Sequence, residues 1–143
     1  MRLHARKVGI GGVGLVLVCA VAGCGDDNPG ATSDVTPPSR ILDLRVRQAS
    51  SASAMLHWTA PGDDDTDGRA SAYDLRRSTI DITLSNWTRT DPINAPAPQS
   101  AGMPESLLVS GLVGGTKYYF ALRASDEAGN VSRPSNTVSL SIP

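Results

Sequence analysis

Apolar residues in this chain recur at every second position, in short runs. Leu42, Leu44 and Val46 alternate with Asp43, Arg45 and Arg47. Ala54, Leu56 and Trp58 alternate with Met55, His57 and Thr59, and Tyr73 and Leu75 flank Asp74. Leu107 and Val109 flank Leu108. Tyr118, Phe120, Leu122 and Ala124 alternate with Tyr119, Ala121 and Arg123, and Val138, Leu140 and Ile142 close the series. A period of two means that one side of each segment is buried and the other wet, as in an antiparallel strand. No long segment holds a 3.6-residue repeat, so helical bundles and α/β folds are excluded. Turn-forming clusters separate the runs: Pro61-Gly62-Asp63, Gly102-Met103-Pro104, Gly114-Gly115-Thr116 and Ala128-Gly129-Asn130. Six or seven short strands in about 100 residues predict an all-β, two-sheet sandwich. A chain of 143 residues holds one such domain.

The first 23 residues do not share this pattern. Arg2, Arg6 and Lys7 open the chain, an apolar run follows from Val8, and no acid precedes Asp26. This is the arrangement of a secretory signal, and its apolar run is shorter than the ~20 residues that span a bilayer. Val21-Ala22-Gly23-Cys24 resembles the bacterial lipobox, in which cleavage precedes the cysteine and acyl chains are attached to it. The resemblance implies that Cys24 is lipidated and that Cys19 is discarded. The competing reading is ordinary cleavage after Ala20-Val21-Ala22, which leaves Cys24 as a lone thiol in an oxidising compartment. Acylation with two or three chains gives a firm membrane anchor. Gly25, where an Asp favours inner-membrane retention, implies the outer membrane in an envelope that has one.

Cleavage at residue 23 removes three of 13 basic residues and none of 14 acids, so the net charge moves from −1 to −4. That balance speaks against a nucleic-acid partner. Residues 24–38 follow as lipidated Cys24 and a tether, read here as disordered because Val35 is its one large apolar residue. Fully extended it reaches about 50 Å.

Residues 39–143 resemble a fibronectin type III domain. The resemblance is carried by Pro37-Pro38, Leu44, Trp58, Tyr73-x-Leu75, Leu107, Gly111-Leu112 and Gly115-Thr116-x-Tyr118-x-Phe120-x-Leu122-x-Ala124. It implies an immunoglobulin-like β-sandwich of about seven strands with Trp58, Tyr73, Leu112, Tyr118 and Phe120 in the core. It also implies a tyrosine corner, with the Tyr118 hydroxyl bonded back to main chain. Residues 78–104 depart from the pattern and are read as an extended C′ region with a proline-studded edge.

Chemistry has few places to sit. Asp63, Asp65, Asp67 and Gly68 match D-x-D-x-D-G, the opening of a calcium loop, and Asp74 stands at the twelfth position. Alternate carboxylates around a glycine turn can surround a hard cation. Against this, a strand rather than a helix follows, and the bland alternative is a solvated acidic turn. His57 is out of phase with Leu56 and Trp58, faces away from the core, and has no nucleophile beside it. Trp87, Tyr119, Arg76, Arg77 and Arg89 are weighed as an exposed binding patch against core cover and scattered charge. Gly111–Gly115 is a turn, not a phosphate loop.

The sequence thus predicts a non-catalytic cell-envelope lipoprotein, an interaction, adhesion or spacer module without a cofactor. Its partners are the membrane, through the lipid, and an envelope protein or polysaccharide. The alternatives are an accessory component of a glycan-degrading system and a calcium-dependent adhesion module.

Overall fold

The computed structural model describes residues 33–143. The signal, Cys24 and the first part of the tether lie outside the described residues.

Seven strands form: β1 Arg45–Ser50, β2 Ser53–Thr59, β3 Ala72–Ser78, β4 Asp91–Ile93, β5 Pro104–Ser110, β6 Lys117–Ser125 and β7 Val138–Ser141. They make two antiparallel sheets, β1-β2-β5 and β4-β3-β6-β7. This is the expected all-β sandwich, and its layers follow from the alternation. Ala54, Leu56 and Trp58 point inward from β2, opposite Val109, Leu107 and Glu105 of β5. Leu75, Phe120 and Leu122 meet them from the second sheet. Leu56, Phe120 and Leu122 have no exposed surface, and each such side chain contributes about 1.5–3 kcal/mol by burial.

Trp58, Leu112, Tyr118 and Phe120 are buried in this core, and half-buried Tyr73 packs against it. Trp58 meets Tyr73 edge-on, with ring centroids 5.4 Å apart. The Tyr118 hydroxyl accepts a hydrogen bond from the main-chain N–H of Val113 at 3.1 Å, which pins the turn between β5 and β6.

Two features depart from the sequence pattern. The alternation does not begin at Leu42, which is 68% exposed, while Ile41 is buried. Residues 41–44 precede the β1 ladder, so no pleat fixes their phase. Instead the Asn136 side chain grips Leu44 from both sides, donating to its carbonyl and accepting from its N–H. The second departure concerns residues 79–103. Three of them form edge strand β4, which carries Pro92. Downstream, Ala95 packs on the core and Pro98 is fully buried, so the proline-rich stretch closes one side of the sandwich.

Residues 34–38 are bonded to the domain and do not form part of a free tether. Pro37 accepts from the Asp65 N–H, Ser39 donates to the Asp65 carbonyl, and Asn130 Nδ2 donates to the Asp34 carbonyl. The expected boundary at residue 39 therefore moves toward the N-terminus, because backbone bonding offsets the poor apolar content of this stretch.

Candidate functional site

The acidic loop between β2 and β3 is built by its own backbone. Asp63 N–H donates to the Asp67 carbonyl, Asp67 N–H to Asp64, and Gly62 N–H to Asp65. Asp65 takes a left-handed φ of 56°, and Gly68 one of 76°. Gly62 is required, since a Cβ there would collide with the Asp67 main chain. Asp34, Asp126 and Glu127 join Asp63 and Asp64 at this pole of the sandwich. The Asp63 carboxyl is pushed above its ordinary range by lost hydration and then by the charges of Glu127, Asp126 and Asp64. Asp64 is pushed up first by the charge of Asp34 and then by lost hydration. Asp126 is held low: burial raises it, but the Asn130 side chain and the N–H groups of residues 128–130 outweigh that.

The proposed cation set of Asp63, Asp65, Asp67 and Asp74 is not brought together. Among the described residues no group of three or more His, Cys, Asp or Glu side chains is arranged to hold a metal ion. Asp74 lies inside β3, and both its oxygens are taken. Oδ1 accepts from Arg76 Nε, and Oδ2 from Trp87 Nε1 and from Arg123, each at 2.7 Å. Partial burial raises the Asp74 carboxyl, but these donors together hold it below the ordinary carboxylate range. The reason is register. Asp74 pairs across the ladder with Arg123, so a strand neighbour, not the loop, decides its partner.

The exposed patch weighed around Trp87 is not formed either. The chain after β3 folds back over the outer face of its sheet through a 3₁₀ turn, Trp87–Arg89. Trp87 is 2% exposed and packs with Ile82, Ala121 and Tyr119 in a second, smaller core. The Arg123 guanidinium lies over its ring at 4.5 Å from the centroid. Arg77 faces elsewhere: it stands over Tyr118 and reaches Asp91 at 3.6 Å. Sequence alternation puts Asp74 and Arg123 on outward positions, yet the strap that covers them carries no period-two signal.

Glu105 was not anticipated as a buried acid. It is 7% exposed and accepts from the Tyr73 hydroxyl at 2.9 Å and from the Gln99 N–H at 2.7 Å. It ties β5, β3 and the proline-rich crossing together. Burial, and after it the Glu105 carboxylate, push the Tyr73 hydroxyl well above its ordinary range.

His57 faces away from the core on β2. Its partner is Arg47 of β1, whose guanidinium donates to Nε2 at 3.3 Å. No hydroxyl or thiol nucleophile is hydrogen-bonded to it among the described residues. The arrangement offers charge and hydrogen bonding on a rigid sheet.

A family model, fibronectin type III domain, matches residues 36–141. Calcium-activated chloride channel regulator 1 of Mus musculus is 33% identical over 116 residues, covering 76% of this chain and 13% of that protein. Exoglucanase B of Cellulomonas fimi is 30% identical over 109 residues, covering 76% of this chain and 8% of that protein. Chitinase Chi52 of Paenibacillus xylanexedens is 27% identical over 118 residues, 82% of this chain and 18% of that protein. The chain thus spans less than a fifth of each of these relatives. The fibronectin domains of chicken CNTN1 superimpose with a TM-score of 0.54 at 19% identity, over 73% of this chain and 32% of theirs, a likeness of fold. With seven strands in two antiparallel sheets and the model matched over most of its length, the chain belongs to the fibronectin type III domain family.

Proposed function

We propose that this protein is a non-catalytic module of a bacterial cell envelope, held to the membrane through lipidated Cys24. In this reading it spaces or recruits components that act on glycans. The observation that carries the reading is how the matched stretch sits in its bacterial relatives. It makes up 8% of an exoglucanase and 18% of a chitinase, so this sandwich accompanies glycan-degrading proteins as a small part of their length. Two features support the non-catalytic role. Asp74 and Glu105 are committed to structural hydrogen bonds, and His57 has no nucleophile partner. The protein needs no cofactor in this role.

The anchor also has a consequence for reach. Because residues 34–38 are bonded to the domain, the reach of the anchor in this reading would be set by the stretch from Cys24 to residue 33. Its extended length is then at most roughly 35 Å.

Two measurements test the reading. A palmitate analogue labels the wild-type protein and not Cys24→Ala, and a variant that is still labelled overturns the anchor. Crosslinking of intact cells followed by capture recovers a glycan-active enzyme or a polysaccharide. Recovery of neither overturns the glycan association.

A further inference from the structure

The two sheets have four edge strands between them, and three of these are guarded. β1 and β7 lie against each other, with Asn136 bonded to Leu44 just before them. β1 also carries Arg45 and Arg47, and its register shifts between Gln48 and Ser50. β4 is three residues long and holds Asp91 and Pro92. Charge, proline, broken register and short length are the usual protections of a sheet edge against another strand. β5 is different. It runs for seven residues, Pro104–Ser110, in unbroken register with β2. On its other side no main-chain hydrogen bond joins it to another segment among the described residues. The proline-rich crossing reaches it only through the buried Glu105 carboxylate, which accepts from the Gln99 N–H. Its proline stands at its start, and its remaining outward side chains, Ser106, Leu108 and Ser110, are exposed and uncharged.

This edge is complementary to itself. Two copies paired antiparallel about a two-fold axis at Leu108 set Leu108 opposite Leu108, Ser106 opposite Ser110 and Leu107 opposite Val109. Like then meets like on each face of the new pair. An axis at Leu107 sets Ser106 against Leu108 and loses that match. Leu108 is 50% exposed, and its ladder partner on β2 is Met55. The first arrangement therefore runs Met55, Leu108, Leu108 and Met55 side by side across the axis. Opposed side chains in a ladder lie about 4.5–5.5 Å apart, close enough for such a strip to bury itself. A two-fold pairing also closes, since it uses the β5 edge of both copies and leaves no open end for a fibre.

We propose that β5 is the docking edge for a second copy of this chain, joining two β1-β2-β5 sheets into one continuous sheet across a two-fold axis at Leu108. This pairing is independent of the glycan-associated reading, and it gives the module two sets of loops.

The test is sedimentation equilibrium of the full secreted chain carrying Cys24→Ala, in reducing buffer, so that neither a lipid nor a disulfide causes association. This chain forms a reversible dimer, and hydrogen exchange of the 104–110 amides slows as its concentration rises. Adding Leu108→Lys puts a charge on the axis and weakens the dimer about tenfold or more. Leu108→Ser, a milder change at the same half-exposed position, weakens it less and serves where the lysine variant fails to fold. Leu42→Lys adds the same charge at a position 68% exposed outside the ladders and leaves the dimer intact. A thermal midpoint unchanged at low concentration shows that each variant is folded. A chain still monomeric at about 1 mM overturns the proposal, whatever other strand the edge accepts. Equal weakening by Leu108→Lys and Leu42→Lys overturns it, because general charge then suffices. A Leu108-dependent dimer whose 104–110 amides exchange as fast as the monomer's overturns it in favour of stacked sheet faces.

Discussion

Asp64 lies in the turn before β3 and Asp74 within β3, ten residues on, and their carboxylates live in opposite worlds. Asp74 sits on a strand beneath a tryptophan and between two arginines, and its charged form is favoured. Asp64 sits at a pole where Asp34, Asp126 and Glu127 face it, and its charged form is disfavoured. A motif scan puts Asp74 in one set with Asp63, Asp65 and Asp67 because it counts along the chain. The fold counts across the ladder, where the neighbour of Asp74 is Arg123. The difference shows that the energy of a carboxylate in a sandwich is set by register and by what covers the sheet. Near neighbours in sequence contribute where the strand period puts them on one face, as with Arg76 and Asp74, and where the backbone turns on itself, as it does from Gly62 to Gly68.

The sharpest way to break the comparison is to remove the cover. Trp87→Ala empties the small core with Ile82, Ala121 and Tyr119, takes a donor from Asp74 and takes the ring from under Arg123. Loss of a buried tryptophan costs about 3–5 kcal/mol. Urea unfolding should show that loss, and a change under about 1 kcal/mol would mean that the strap is not a structural cover. Next in size is Asp74→Ala, which leaves Arg76, Arg123 and the indole N–H without their acceptor. The expected cost is about 1–3 kcal/mol, because unmet donors are worse than absent ones. A double-mutant cycle with Arg123→Ala should show strong coupling, and simple additivity would mean that the pair is not a unit.

Most of the fold was legible because two-sheet burial writes itself as a period of two. β2, β5 and β6 hold their alternation, and the core residues Leu56, Trp58, Phe120 and Leu122 follow from it. Leu42 misleads because alternation carries meaning only within a ladder, and residues 41–44 have none. Trp87 was legible only as one of two alternatives, core cover or exposed patch, and the structure shows it as core cover. It is buried by a strap whose path depends on tertiary contacts, and a 3₁₀ turn of three residues leaves no periodic mark. The ladder partner of Asp74 was hidden for a related reason. Outward positions can be read from phase, but which outward positions meet is fixed only by strand pairing. Arg45 and Arg47 were visible as the polar half of an alternation, and the contact of Arg47 with His57 emerges only from the pairing of β1 with β2.

The smallest effect is the one that tests both regions at once. A carboxyl whose pKa is raised by folding costs stability when ionised, and it returns that stability when protonated. A carboxyl whose pKa is lowered does the reverse. Asp63 and Asp64 are raised from an ordinary value of 3.8, so acidification from neutral toward that value should strengthen the fold through them. Asp74 and Asp126 are lowered from the same value, so their contributions are present above 3.8 and are lost as pH falls below it. These four groups therefore contribute a shallow maximum near pH 4 to the thermal midpoint, with a decline below. Asp63→Asn/Asp64→Asn should raise the midpoint at neutral pH and flatten the rise on acidification, while keeping the steep acid limb. Asp74→Asn should lower the midpoint at neutral pH and soften that limb, while keeping the rise. If both variants altered the same limb, the two regions would share one electrostatic environment, and the separation drawn from their partners would fail.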